Sequence, residues 1–373
     1  SEDAKDIKIE AKQFAEEYIE PNAKTYYEQA KYPQEIVNKA AQEDLLAQDI
    51  SEEYGGRGFS LDQILAMSEE FYKADAGIAL SIQLASFGTK IIEKYGSEEQ
   101  KESYLRPVAE NQKISGLAVS EPESGSNLAG MQTKAEKDGD EWVLNGEKYW
   151  IGNGVEADWL TLYAKTGESD DRYSNYSLFI VPTDSDGYEA EHIPEKMSFR
   201  SSKQAHITLN NCRIPEDNII GSEGAGFYMI AEYFNRGRII VAGHGLGLAA
   251  AAIEEATKFT DKREAFGKNV SDFQSVQHDI ADMRIEFESA RALCWRAQKK
   301  VQNNQNGGYW AALAKTKCTD TSVECAETSM KLHGGRSILK EKKISRVYRD
   351  VRTPVIYEGA NPIQKNLIFD QSS

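Results

Sequence analysis

The hydrophobic period of this chain changes twice, and that double switch limits its fold more than any other feature. In the first part, apolar residues recur at helical spacing. Ile7, Ala11, Phe14, Ala15, Tyr18 and Ile19 form one stripe, which Pro21 is expected to close. Ser60 with Gln63, and Ser97 with Gln100, are capping-box pairs that predict two further helix starts. Residues 78–92 are poor in charge, which predicts a helix that is deeply buried or lines an apolar pocket. Further on the pattern shortens. Residues 141–151 alternate around Asn145-Gly146, a hairpin signal, and 160–164, 178–182 and 205–209 are strand-like runs separated by turns. After Gly224 the helical period returns. Ser271 and Gln274 are expected to cap a long helix to about Val301, and another runs from about 309 to 332 until Gly334 and Gly335 stop it.

These blocks predict an α+β chain that is mostly α. It has an N-terminal α-helical domain (1–112), a middle antiparallel β-barrel or sheet domain (113–222) and a C-terminal helical domain (223–373). Charge narrows the partners. With 60 acidic against 44 basic residues the net charge is −16, which repels phosphate backbones and argues against nucleic-acid binding. The charge-free stretch 239–253 falls short of the ~20 apolar residues of a membrane span, and the acidic N-terminus lacks the basic flank of a signal peptide. Cys212, Cys294, Cys318 and Cys325 form no CxxC pair, and the five histidines form no HExxH. They read as reduced thiols of a cytoplasmic protein, with no metal site indicated.

Gly245-Leu-Gly247-Leu-Ala-Ala250 fits GxGxxA and, if 238–242 were a strand, would suggest a nucleotide phosphate at a helix N-terminus. A dinucleotide fold needs a second parallel strand within ~30 residues, and the sequence there is helical. Small residues for close helix packing are the preferred reading, and NAD is set aside.

Two segments combine glycine, hydroxyl and aromatic residues beyond what packing requires. One is Leu117-Ala-Val-Ser120-Glu-Pro-Glu-Ser-Gly125-Ser126-Asn127. The other is Val355-Ile-Tyr357-Glu358-Gly359-Ala360-Asn361-Pro362, where one carboxylate stands in an apolar run. On that segment alone, Glu358 is equally a surface acid beside a turn. Together with Met330-Lys-Leu-His-Gly334-Gly335, these segments resemble three motifs of the acyl-CoA dehydrogenase family, in order and across essentially the whole chain. Asn127 stands where the family usually has aspartate, and Ser337 where it usually has glycine.

The resemblance implies an N-terminal helical domain, a middle β domain, a C-terminal four-helix bundle domain, and FAD. It implies that Leu117, Val119 and Ser120 meet the flavin edge, with Ser126 near its phosphate or CoA, and that Trp150 and Gly152 pack on the ring. Arg263 would pair with pyrophosphate and Phe266 stack on adenine, beside Phe273 and Gln274. Lys331, His333, Gly334, Gly335, Ala360 and Pro362 would complete the site, partly from a neighbouring subunit of a homotetramer. Asn235 and Arg238 would contact CoA, and Ile78, Gln83, Tyr357 and Gly359 would wall the acyl chain. Glu358 would remove the α-proton of an acyl-CoA while the β-hydrogen leaves as hydride to flavin N5, with an electron-transferring flavoprotein as acceptor. Ala76-Gly-Ile78-Ala79 carries no arginine, which implies a monocarboxylic acyl group. Gly152 replaces a threonine usual beside the flavin, and Ala360 and Pro362 lack polar groups usual at their places. An oxygen-using acyl-CoA oxidase, a flavin-bearing nucleic-acid-associated relative and an NAD enzyme are the competing readings.

Overall fold

A computed structural model of the chain describes residues 1–372. The first helical block holds α1 (Glu2–Phe14), α2 (Glu20–Gln29), α3 (Gln34–Gln42), α4 (Leu61–Ala74), α5 (Ala76–Gln83), α6 (Thr89–Tyr95), α7 (Glu98–Gln100) and α8 (Arg106–Ala109). Both capping boxes form: Ser60 with Gln63 opens α4, and Ser97 with Gln100 opens α7. Pro21, expected to end the first helix, does not. A π turn over Ala15–Ile19 carries the chain into α2, where Pro21 sits in the first turn and its missing N–H costs nothing. The charge-poor stretch 78–92 is two helices, not one. α5 ends at Gln83, and a break at 84–88 turns the chain before α6.

Among the described residues, eight strands form one sheet: β1 (Ser115–Ala118), β2 (Lys134–Asp138), β3 (Glu141–Gly152), β4 (Trp159–Lys165), β5 (Tyr176–Pro182), β6 (Tyr188–His192), β7 (Gln204–Pro215) and β8 (Ile219–Ile220). Their order is β6-β7-β3-β2-β4-β5-β8, with β1 also on β4. Most pairings are antiparallel, as expected, but β1 and β2 each meet β4 in parallel. Asn145-Gly146 makes no hairpin. β3 runs straight through it, and its register against β7 slips between Leu144 and Gly146. The residue pair that turns a hairpin also suits a bulge, and here Asn145 Oδ1 accepts the Asn211 N–H at 2.8 Å from the facing strand.

The last block is helical: α9 (Gly226–Lys262), α10 (Gln274–Gln302), α11 (Gly307–His333), α12 (Lys343–Asp350) and α13 (Asn361–Asp370). Between α9 and α10 lies a two-stranded ribbon, β9 (Glu264–Ala265) and β10 (Lys268–Asn269). The capping pair ahead of α10 is Asn269 with Asp272 on a short 3-10 turn, in place of Ser271 with Gln274. By length and composition α9 could cross a membrane, yet 78% of its most apolar window is buried inside the protein. It is the central helix of the block, and its glycines explain why. A Cβ on Gly245 would lie 2.7 Å from Cys318 O on α11, and one on Gly247 2.7 Å from Glu69 O on α4. The GxGxxA run is thus a helix crossing, where bare backbone lets three helices approach. All four cysteines are free and buried.

Candidate active site

Residues 351–360 link α12 to α13 through a turn with left-handed backbone. Glu358 has φ 54° and Gly359 φ 86°, two successive left-handed residues. For a glutamate that conformation costs about 1–2 kcal/mol and persists only where surroundings hold it. Several groups do so here. Lys315 Nζ, on α11, donates to Gly359 O at 2.9 Å and to Asn361 Oδ1 at 2.8 Å. Gln364 Nε2 donates to Gly359 O at 3.1 Å, and Arg238 Nε, on α9, to Glu358 O at 3.4 Å. Arg238 also reaches Asn235 Oδ1 at 2.9 Å.

The Glu358 side chain turns inward. Its Oε2 atom is buried with no hydrogen-bond partner among the described residues. It lies against α9 where a Cβ on Gly237 would come within 2.6 Å of it. Burial pushes the carboxyl up to about 7, against the opposing pull of Arg238 and Lys315. Lys315, itself fully buried, is pushed down to about 7 by the same loss of water, opposed by Glu358. Arg238 is lowered by burial as well. A buried carboxylate matched to neutral pH, with one oxygen unpaired, is equipped to take a proton from a weak carbon acid.

Beside it, the Tyr357 hydroxyl lies 2.7 Å from His244 Nδ1, and the imidazole stacks on Tyr72 at 3.9 Å between ring centres. Burial lowers His244 to about 3, so the ring is neutral. Ile78 is fully buried in the core, whereas Leu80, Gln83 and Phe87 of the same segment are half-buried. Gln83 Nε2 is held by Ser68 Oγ at 2.6 Å.

The start of β1 and the end of β3 meet the break after α5. Gly152 abuts Leu84 so closely that a Cβ would fall 2.5 Å from Leu84 Cδ1. Phe87 packs on Tyr233, whose hydroxyl accepts the Gly88 N–H at 3.3 Å and whose acidity is weakened by burial and, after it, by nearby Glu358. Leu117 and Val119 are buried, Ser120 is half-buried and Ser126 exposed. Trp150, at φ 66°, leaves 58% of its surface open. A buried ion pair fixes the strand end: Lys148 Nζ donates to Val119 O at 2.9 Å and to Glu121 Oε1 at 3.0 Å.

Of the expected site residues, the structure gathers Glu358, Tyr357, Gly359, Ala360, Pro362, Asn235 and Arg238 in one place. Arg263, Phe266, Phe273, Gln274, Lys331, His333, Gly334 and Gly335 gather at another. His333 stacks on Phe259, so the far ends of α9 and α11 coincide. From Lys315 to His333 is 18 residues, roughly 27 Å of helix. In one chain the second group therefore lies at the opposite end of α11 from the base. There Phe266 is 96% exposed at a ribbon tip, Lys331 is paired with Asp279 at 2.9 Å, and a Cβ on Gly334 or Gly335 would meet nothing within 4 Å. Exposed aromatic faces beside bare backbone and an arginine suit a long cofactor of rings and phosphates. Sequence reasoning missed Lys315 and His244 as site residues, and reached Asn361 and Gly237 only as members of their segments. A signal existed for Lys315: it falls on the same stripe as Ala311, Ala312, Cys318, Thr319 and Ser322.

The helix–sheet–helix order, with a carboxyl turned inward on the turn before the last helix, is that of a class of flavin-dependent oxidoreductases. Comparison with known proteins gives the family. The models of the N-terminal, middle and C-terminal domains of acyl-CoA dehydrogenase match residues 1–112, 116–212 and 224–372. The chain belongs to the acyl-CoA dehydrogenase family. It is 33% identical over 357 residues to the mitochondrial short-chain specific acyl-CoA dehydrogenase of Rattus norvegicus, covering 95% of this chain and 86% of the rat protein. The structure of butyryl-CoA dehydrogenase from Megasphaera elsdenii superposes with a TM-score of 0.95 at 28% identity, covering 100% of this chain and 98% of that one. A glutaryl-CoA dehydrogenase from Mycobacterium smegmatis in complex with FADH2 gives 0.93 at 28% identity, covering 100% and 95%.

Proposed function

We propose that this protein oxidises a straight-chain monocarboxylic acyl-CoA to the trans-2-enoyl-CoA, with Glu358 as the base that removes the α-proton. The observation carrying this reading is the Glu358 carboxylate itself: half-buried, with Oε2 buried and unpaired, and raised to about 7. An ordinary carboxylate, near 4.3, is too weak for a carbon acid. Burial narrows that gap, and a bound acyl chain that expels remaining water narrows it further. FAD, when bound, supplies the acceptor for the β-hydrogen as hydride. Leu117, Val119, Ser120, Trp150 and Gly152 are the residues that would hold its ring, and Arg238 with Asn235 would anchor CoA. A monocarboxylic chain is favoured because residues 76–79 are buried and carry no charge, and Arg238 is already engaged by Asn235 and the Glu358 carbonyl.

Arg263, Phe266 and the Lys331–Gly335 turn are too far along α11 to serve the same cofactor as Glu358 of their own chain. A homotetramer in which a neighbour lends them is the assembly we infer, with an electron-transferring flavoprotein as electron acceptor. Gly152 favours a second reading, an oxidase reoxidised by oxygen, since it leaves the flavin face without a hydroxyl and Leu84 crowds any side chain there. Anaerobic titration with straight and branched acyl-CoAs of graded length tests the main reading through loss of flavin absorbance. No bleaching by any of them would reject it, and hydrogen peroxide formed in air without added acceptor would favour the oxidase.

A further inference from the structure

Lys315 is the most completely buried cation near the site, and its position is specific. Its ammonium has two acceptors, Gly359 O and Asn361 Oδ1, and both belong to the segment that carries Glu358. Asn361 is clasped from the same helix. Its Nδ2 donates to Thr319 Oγ1 at 3.0 Å and to Asp320 Oδ1 at 2.7 Å. Residues 315–320 of α11 thus grip the segment that carries the left-handed Glu358–Gly359 pair. An apolar side chain of similar length would pack at position 315 without the expense of burying a charge, so packing alone does not explain a lysine here.

We propose that Lys315 is a positioning residue for Glu358: its ammonium pins the strained turn through Gly359 and Asn361 and is a buried countercharge of the carboxylate. This rests on the reading of Glu358 as the base. The groups facing that carboxylate are Arg238 and Tyr233 from α9, Lys315 from α11 and Tyr357 from its own turn, while Asp320 faces Lys315. Arg238 stands to contact CoA, which leaves Lys315 as the cation whose contacts are all intramolecular. Two of its three protons are taken by the turn, so it cannot swing away to follow a ligand.

The test measures flavin reduction by the acyl-CoA that best bleaches the holoenzyme, across pH, in wild type, Lys315→Met, Lys315→Arg and Asn361→Ala. It also measures deuterium uptake at the α-carbon and binding of the CoA ester. Loss of the cation in Lys315→Met should raise the midpoint of the pH profile by about one pH unit and slow reduction about fivefold at pH 7 and about tenfold in the acid limb. Binding of the CoA ester should stay within about twofold. Lys315→Arg and Asn361→Ala keep the charge but spoil the grip, so their midpoints should stay while the plateau rate falls. A wild-type midpoint and rate in Lys315→Met overturns the proposal. If that variant yields no folded protein, wild-type plateaus in the other two overturn it. Should Glu358→Gln bleach as fast as wild type, the base assignment falls instead, whatever Lys315 does.

Discussion

Gly237 and Glu358 are fitted to one another: the glycine's missing Cβ is the space that Oε2 occupies, since a Cβ there would lie 2.6 Å from it. Gly237 sits inside α9, where a glycine sacrifices about 1 kcal/mol of helix propensity relative to alanine. Gly237→Ala recovers that propensity and pushes the carboxylate aside. Thermal unfolding should show stability within about 1 kcal/mol of wild type, while anaerobic flavin reduction slows about 10- to 100-fold, the usual cost of a reacting group displaced by an ångström.

Glu358→Gln keeps the shape and removes the base. Flavin reduction by acyl-CoA should fall by about 100-fold or more, with FAD content and CoA-ester affinity preserved. Stopped-flow bleaching separates these outcomes, and a normal rate would remove Glu358 from the role.

The raised Glu358 predicts how the rate depends on pH. The ionised form takes the proton, so kcat/KM for acyl-CoA should be low in acid and rise through about pH 7, not through the ordinary carboxylate range near 4.5, and the rise in kcat should lie higher still. Arg238 and Lys315 both pull the value down, so removing either should move the rise to higher pH. A profile already flat from pH 5 upward would contradict the burial that sets this value.

Much of the layout is legible in the sequence, because hydrophobic period and capping boxes act locally. The Ser60 and Ser97 boxes, the helix stop at Gly334 and the Glu358-Gly359 turn all read directly from neighbouring residues. What was not legible depends on partners far along the chain. Asn145-Gly146 looks like a turn until β7 pairs with both of its flanks. Pro21 looks like a stop until a π turn absorbs it. The stripe of small residues on α11 marks Lys315 as inward-facing, but its acceptors, Gly359 and Asn361, lie more than forty residues away. The two clusters of expected cofactor residues also read as one site in sequence, and only the length of α11 separates them.

The Tyr357–His244 contact predicts an order of stability. His244 has one nitrogen bonded to Tyr357 and its Nε2 buried without a partner among the described residues. Tyr357→Phe leaves both nitrogens unpaired and should cost about 1–3 kcal/mol in urea unfolding. His244→Phe strands the tyrosine hydroxyl but also removes the orphan Nε2, and keeps an aromatic ring on Tyr72, so it should cost less. Pairing both substitutions should restore part of the loss, because neither the ring nitrogens nor the Tyr357 hydroxyl is then left without a partner. The opposite ranking would mean that the hydrogen bond contributes little.

The Lys148–Glu121 pair predicts a different kind of loss. Lys148 is fully buried, and besides Glu121 it holds Val119 O. Glu121 in turn accepts the Gln132 and Thr133 N–H groups at 2.6 and 2.9 Å. Glu121 is held below its ordinary 4.5: burial alone would raise it, but Lys148 and the backbone donors outweigh that. Lys148→Met leaves a buried anion with backbone donors only, and breaking such a pair from one side costs about 3–5 kcal/mol. The two donors that remain place the expected loss near the lower figure. A carboxylate with a lowered value contributes fully above about pH 4.5 and stops contributing as the pH falls below its folded value. Urea unfolding should therefore show the gap between wild type and Lys148→Met widest near neutral pH and narrowing in acid. The same strand end carries Val119 and Ser120, so flavin affinity should fall together with stability. Full stability with weakened flavin binding would show that the pair shapes the flavin edge without supporting the fold.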